Sequence, residues 1–94
     1  MIMKTIEVII SGKVQRVGFR ACARHIATNL GVAGEVENLT DGRVRILATG
    51  DGVILEKFVS MLYGCPRAII RDIEVYHYID TPFTDFSIKK ANYG

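Results

Sequence analysis

No apolar run in these 94 residues approaches the ~20 needed to cross a membrane. The opening Met1-Ile2-Met3-Lys4 is too short, and too soon charged, for a signal peptide. A soluble, cytoplasmic protein is expected. Net charge is only +2, which leaves nucleic acid without the basic excess it asks for. Cysteine is scarce as well. Cys22 and Cys65 lack the Cys-x-x-Cys spacing of a zinc or redox site. The reading for these thiols is that they are free, with Cys22 in the core, since a bridge would require Cα atoms within about 7 Å. No Ser-His-Asp or paired-carboxylate constellation is evident. His25 and His77 fall on different elements and read as surface or half-buried structural residues. Repeats, linkers and low-complexity stretches are absent, so residues 1–94 read as one domain.

What is present concentrates between Ser11 and Arg20, in Ser-Gly-Lys-Val-Gln-Arg-Val-Gly-Phe-Arg. A β-branched segment runs into it from Thr5 to Ile10, and helical spacing begins at Phe19. A strand therefore feeds a loop, Gly12 to Gly18, that opens into a helix. Glycine lets such a loop turn its N–H groups inward, and a helix N-terminus adds unpaired donors and a positive dipole end. Together these suit an anion, above all a phosphate. Lys13, Arg16, Arg20 and Arg24 add positive charge. The loop matches neither familiar nucleotide motif, having no Gly-Lys-Ser/Thr and no Gly-x-Gly-x-x-Gly.

Along the chain, Ile6, Val8 and Ile10 form one face of a first strand. Phe19, Cys22, Ala23, Ile26, Ala27 and Leu30 form the apolar stripe of a helix that Gly31 can end. Gly34–Leu39 and Arg43–Thr49 read as a hairpin closed by Thr40-Asp41-Gly42. Gly50-Asp51-Gly52 breaks the strand, with Asp51 as N-cap of a second helix striped by Leu55, Phe58, Val59 and Leu62. Tyr63-Gly64-Cys65-Pro66 stops that helix. Ile69–Tyr78 is a long strand whose Asp72, Glu74, Tyr76 and Tyr78 share a face, either solvated or available for pairing. Thr81-Pro82 turns the chain, Phe86–Ile88 adds a short last strand, and Lys89-Lys90 reads as a soluble tail. The order β-α-β-β-α-β, with that extra strand, predicts an α+β, ferredoxin-like sandwich: an antiparallel sheet with two helices on one face.

Two segments now resemble the signatures of a known family. Gly12-Lys13-Val14-Gln15-Arg16-Val17-Gly18-Phe19-Arg20 is similar to the first signature of the acylphosphatases, Gly-x-Val-Gln-Gly-Val-x-Phe-Arg. Gly34-Glu35-Val36-Glu37-Asn38, with Asp41-Gly42-Arg43-Val44 and Gly50, resembles the second. The likeness runs from about Thr5 to Lys90. It implies hydrolysis of the carboxyl–phosphate bond of acyl phosphates, without metal or cofactor. It also implies that Arg20 binds the phosphate, that Asn38 orients the attacking water, and that the backbone of Gln15, Arg16, Val17, Gly18 and Phe19 completes the cradle. The expected partners are a small acyl phosphate and inorganic phosphate as product and inhibitor. No nucleic acid is expected, and the chain is expected to be a monomer.

Three departures bear on rate more than on fold. Arg16 replaces the signature's second glycine, and strains the loop by roughly 1–3 kcal/mol if that position needs φ > 0. Its side chain is read as facing solvent, with a second cation for the phosphate as the other possibility. Glu35 replaces an aromatic, and Glu37 sits where a basic residue is common. Both share the strand face opposite Val36 and Asn38. A non-catalytic anion-binding or regulatory ferredoxin-like module is the alternative function. An RNA-binding module fits less well, because Thr5–Ile10 and Arg43–Thr49 lack stacking aromatics.

Overall fold

The first strand owes its length to glycine. The computed structural model, which describes residues 3–79 and 82–90, extends it well past the β-branched run. It is β1 (Met3–Lys13), followed by α1 (Phe19–Leu30), β2 (Ala33–Asn38), β3 (Val44–Asp51), α2 (Gly52–Leu62), β4 (Ile69–His77) and β5 (Phe86–Lys89). Pairing of β1 with β4 shifts register between Ser11 and Gly12. Gly12 takes φ 130° at that bulge, where an added Cβ would collide with the Ile69 carbonyl. Alternation stops at Ile10, so the sequence alone ended the strand three residues early. Likewise β3 runs through Gly50 to Asp51, because Gly50 pairs with Lys4 and Asp51 with Met3. Asp51 still caps α2, accepting from the Val53 N–H at 2.9 Å.

The sheet order is β4-β1-β3-β2-β5. The first four strands pair antiparallel, as expected, whereas β5 joins β2 in parallel and makes the sheet mixed. The reason is directional. β4 runs antiparallel to β1 and so opposite to β2; the chain then reverses before reaching the far edge, and arrives running with β2. Lys89 belongs to this last strand rather than to a tail, and its Nζ lies 3.4 Å from Glu37. Thr81, half of the expected Thr81-Pro82 turn, lies outside the described residues.

One apolar core lies between helices and sheet. Ile6, Val8, Ile10, Val36, Val44, Ile46 and Ala48 supply the sheet side, and Phe19, Ala23, Ile26, Leu55, Phe58 and Leu62 the helix side. The opposite face is salt-bridged: Arg45 meets Glu7 at 2.6 Å and Glu37 at 3.6 Å. Burial disfavours the Arg45 charge, but the hydrogen bond and charge of Glu7 outweigh it and raise the pKa. That face is less wet than the alternation suggests. Thr5 and Thr49 are buried there with their hydroxyls 2.8 Å apart, and the Phe83 N–H reaches Thr49 Oγ1 at 3.2 Å.

The free-thiol reading is wrong. Cys22 and Cys65 form a disulfide, with Cα atoms 5.9 Å apart and a sequence separation of 43. Cys22 sits on the apolar stripe of α1 but is only partly buried. The segment leaving α2 brings Cys65 against it, a juxtaposition made by tertiary packing and written in neither local sequence.

Candidate active site

The two helices begin differently, and the difference marks the site. At α2 the Asp51 carboxylate fills the N-terminus. At α1 the N-cap is Gly18, with no side-chain capping bond and no acidic residue in the first turn. The first helical bond there is Cys22 N–H to Gly18 O at 3.1 Å, so the N–H groups of Phe19, Arg20 and Ala21 have no acceptor within the helix. These three orphan donors at a dipole's positive end, with no acidic residue in that turn, favour an anion from outside.

The loop before the helix adds to this. Arg16 has φ 62° and Gly18 φ 75°, both left-handed, while Val17 between them is not. Alternating handedness over successive residues curls backbone N–H groups toward one point, the geometry of an anion nest. A cleft of about 190 Å³ opens here, lined by Val14, Arg16, Gly18, Phe19, Arg20 and, from β5, Ile88. Arg20 is half-buried and Arg16 exposed. Neither forms an ion pair with any described residue, whereas Arg43 and Arg45 are both engaged with carboxylates. Asp41 takes the Arg43 N–H at 3.1 Å and its guanidinium at 2.8 Å. Those two contacts, the backbone one first, hold its carboxyl below the ordinary 3.8.

Gln15 does something the sequence reading missed. Its side-chain Nε2 donates to the carbonyls of Leu39 at 2.8 Å and Arg43 at 2.9 Å. This ties the loop to the β2–β3 turn, one residue beyond Asn38. The available signal was an amide side chain among buried valines, Val14 and Val17, but nothing local named its acceptors. Gln15→Leu is expected to lower stability by about 1–3 kcal/mol, the net worth of two side-chain hydrogen bonds; the carbonyls keep their backbone donors, the Gly42 N–H on Leu39 and the Leu39 N–H on Arg43. Urea denaturation checks it. Turnover should fall as well, since the loop and Asn38 lose their tether.

Asn38 lies on the helix face of β2, paired in register with Val44. It is not among the residues lining the cleft. Its Oδ1 is buried and accepts no hydrogen bond from any described residue, an orphan of the kind that collects at functional sites. Glu35 and Glu37 lie on the other face of β2, where Glu37 is neutralised by Arg45 and Lys89. They therefore do not point at the cleft. His25 and His77 are exposed, and His25 meets the Asn29 amide at 3.2 Å. A larger groove of about 480 Å³ lies at the opposite end of β1, between Lys4, Ile6, Leu55, Val59, Tyr63 and Val75. None of the sequence-derived site residues lines it, and the open helix end and unpaired arginines belong to the smaller cleft.

With this geometry in place, comparison with known proteins points one way. The family model described as Acylphosphatase matches residues 6–88. An acylphosphatase of Archaeoglobus fulgidus is 47% identical over 74 residues, covering 78% of this chain and 83% of its own. One from Thermotoga maritima is 39% identical over 88 residues, covering 93% and 98%. Among solved structures, the acylphosphatase from Bacillus subtilis superposes with a TM-score of 0.86 at 34% identity, over 94% of this chain and 99% of that one.

Proposed function

We propose, since the chain belongs to the acylphosphatase family, that Arg20 and the open start of α1 hold the phosphoryl group of an acyl phosphate while Asn38 holds the attacking water. The reaction is hydrolysis of the carboxyl–phosphate bond to carboxylate and inorganic phosphate. The observation that carries the assignment is the uncapped N-terminus of α1 with an unpaired arginine in its first turn.

The chemistry suits so small a site. An arginine fork matches two phosphoryl oxygens, and backbone N–H groups take the third. Phosphoryl transfer needs positioning and charge stabilisation more than covalent help. The leaving carboxylate ionises near pH 4, so no general acid has to protonate it. That is why the constellations missing from the sequence are not needed, and why this reading calls for no metal. The water needs an orienting donor–acceptor, which an amide provides. No described residue competes for Asn38 Oδ1. Turning the amide about its last torsion, which is soft, presents that oxygen to a water. The water's proton passes to the substrate phosphate.

In this reading the chain acts as one domain and a monomer, with phosphate as product inhibitor and no nucleic-acid partner. The setting is the cytoplasm. No helix of the described residues is long and apolar enough to cross a membrane.

Asn38→Ala tests the division of labour. Turnover is expected to drop roughly 10²-fold, the scale of losing one orienting group. Inhibition by inorganic phosphate should stay nearly unchanged, because Asn38 holds the water and not the anion. Phosphate inhibition lost together with rate would overturn the assignment.

A further inference from the structure

Arg16 is the residue the proposed chemistry leaves unused, and its place is peculiar. It adopts φ 62°, a conformation that costs an L-residue energy and a glycine nothing. Backbone strain of this kind gathers at functional sites. Its guanidinium meets no carboxylate among the described residues, yet it lines the same cleft as Arg20. Two unpaired arginines thus share about 190 Å³, with an uncapped helix start beside them. The positive charge exceeds what one phosphoryl group needs.

Position decides what the second arginine is for. Arg20 is half-buried, at the inner part of the cleft, and the helix N–H groups are next to it. Between them the three phosphoryl oxygens are provided for. Arg16 is exposed, at the rim. A cleft this small holds a phosphoryl group and little more, so the acyl part of the substrate passes the rim on its way out. We infer that Arg16 is a specificity residue that selects acyl phosphates carrying a second anionic group on the acyl part, such as a distal carboxylate. This rests on the hydrolase reading above. Glu35 and Glu37 do not oppose it, since both lie on the other face of β2.

The test compares benzoyl phosphate with 4-carboxybenzoyl phosphate in the wild type, Arg16→Gly and Arg16→Lys. Glycine suits the left-handed conformation, so the first variant keeps the loop. Arg16→Gly is expected to lower kcat/KM for the carboxylated substrate about fivefold more than for benzoyl phosphate, the scale of a ~1 kcal/mol rim ion pair. The difference should appear mainly in KM and shrink at high salt. Arg16→Lys should retain part of it, because the charge remains. Equal losses on the two substrates would place Arg16 on the phosphoryl group or nowhere, and would overturn the inference while leaving the hydrolase reading intact. Turnover of neither substrate by the wild type would overturn both.

Discussion

Arg20→Ala is expected to lose at least about 10²–10³-fold in kcat/KM, the usual result of removing one preorganised group that stabilises transition-state charge. Inhibition by inorganic phosphate should go with it, since the same fork holds product and reacting phosphoryl group. The thermal midpoint should barely move. Arg20 forms no ion pair with the described residues and is only half-buried, and such substitutions usually stay within ~0.5 kcal/mol. Loss of rate without loss of stability is what separates a catalytic arginine from a structural one. Arg20→Lys should recover only a fraction, because an ammonium offers a point charge where two oxygens ask for a planar fork. Steady-state kinetics beside a melting curve reads both quantities. A variant that kept most of its turnover would remove Arg20 from the reaction.

Reduction of the disulfide is expected to have the largest effect on stability. The bridge spans 43 residues and joins the first half of α1 to the segment leaving α2. Closing a loop of that length restricts the unfolded chain by about 4 kcal/mol on the entropic account. For a domain of this size that corresponds to a fall in Tm of roughly 15 °C or more. Cys22→Ser should reproduce the fall and should not respond to reductant, whereas the wild type should. Cys22 is the better position to change, being only partly buried, while a hydroxyl at Cys65 would be sealed in the core. A wild-type midpoint indifferent to reductant would contradict the prediction.

How much of this was written in the sequence depends on whether a feature is local. The faces were. Ile6, Val8 and Ile10 alternate, Phe19 to Leu30 repeat at helical spacing, and both patterns pack as their periods dictate. Asp51 was recognisable as a cap because it precedes an apolar helix. A left-handed Arg16 was raised only as a condition, by the glycine of the loop signature, and the structure meets it with φ 62°. What escaped depends on partners far along the chain. The last residues of β1 and β3 are strand because β4 and β1 lie beside them, with Gly12 letting β1 pass its bulge, and their apolar alternation gives no sign of it. The parallel pairing of β5 follows from which edge it reaches. The disulfide needs α1 and the end of α2 to meet. Gln15 could be placed in the loop, but the carbonyls of Leu39 and Arg43 that it grips become its neighbours only once the sheet has formed. Around the cleft, therefore, residue types were legible and their tethers were not.

A helix start left open for an anion, with one arginine beside it, is enough on this reading to hydrolyse acyl phosphates without a metal. Hydrolysis of benzoyl phosphate by the purified protein, followed with and without EDTA, tests it most directly. The expected result is turnover that EDTA does not change and that inorganic phosphate inhibits competitively. Turnover abolished by EDTA would contradict the metal-free mechanism, and no turnover at all would leave a non-catalytic anion-binding module in its place.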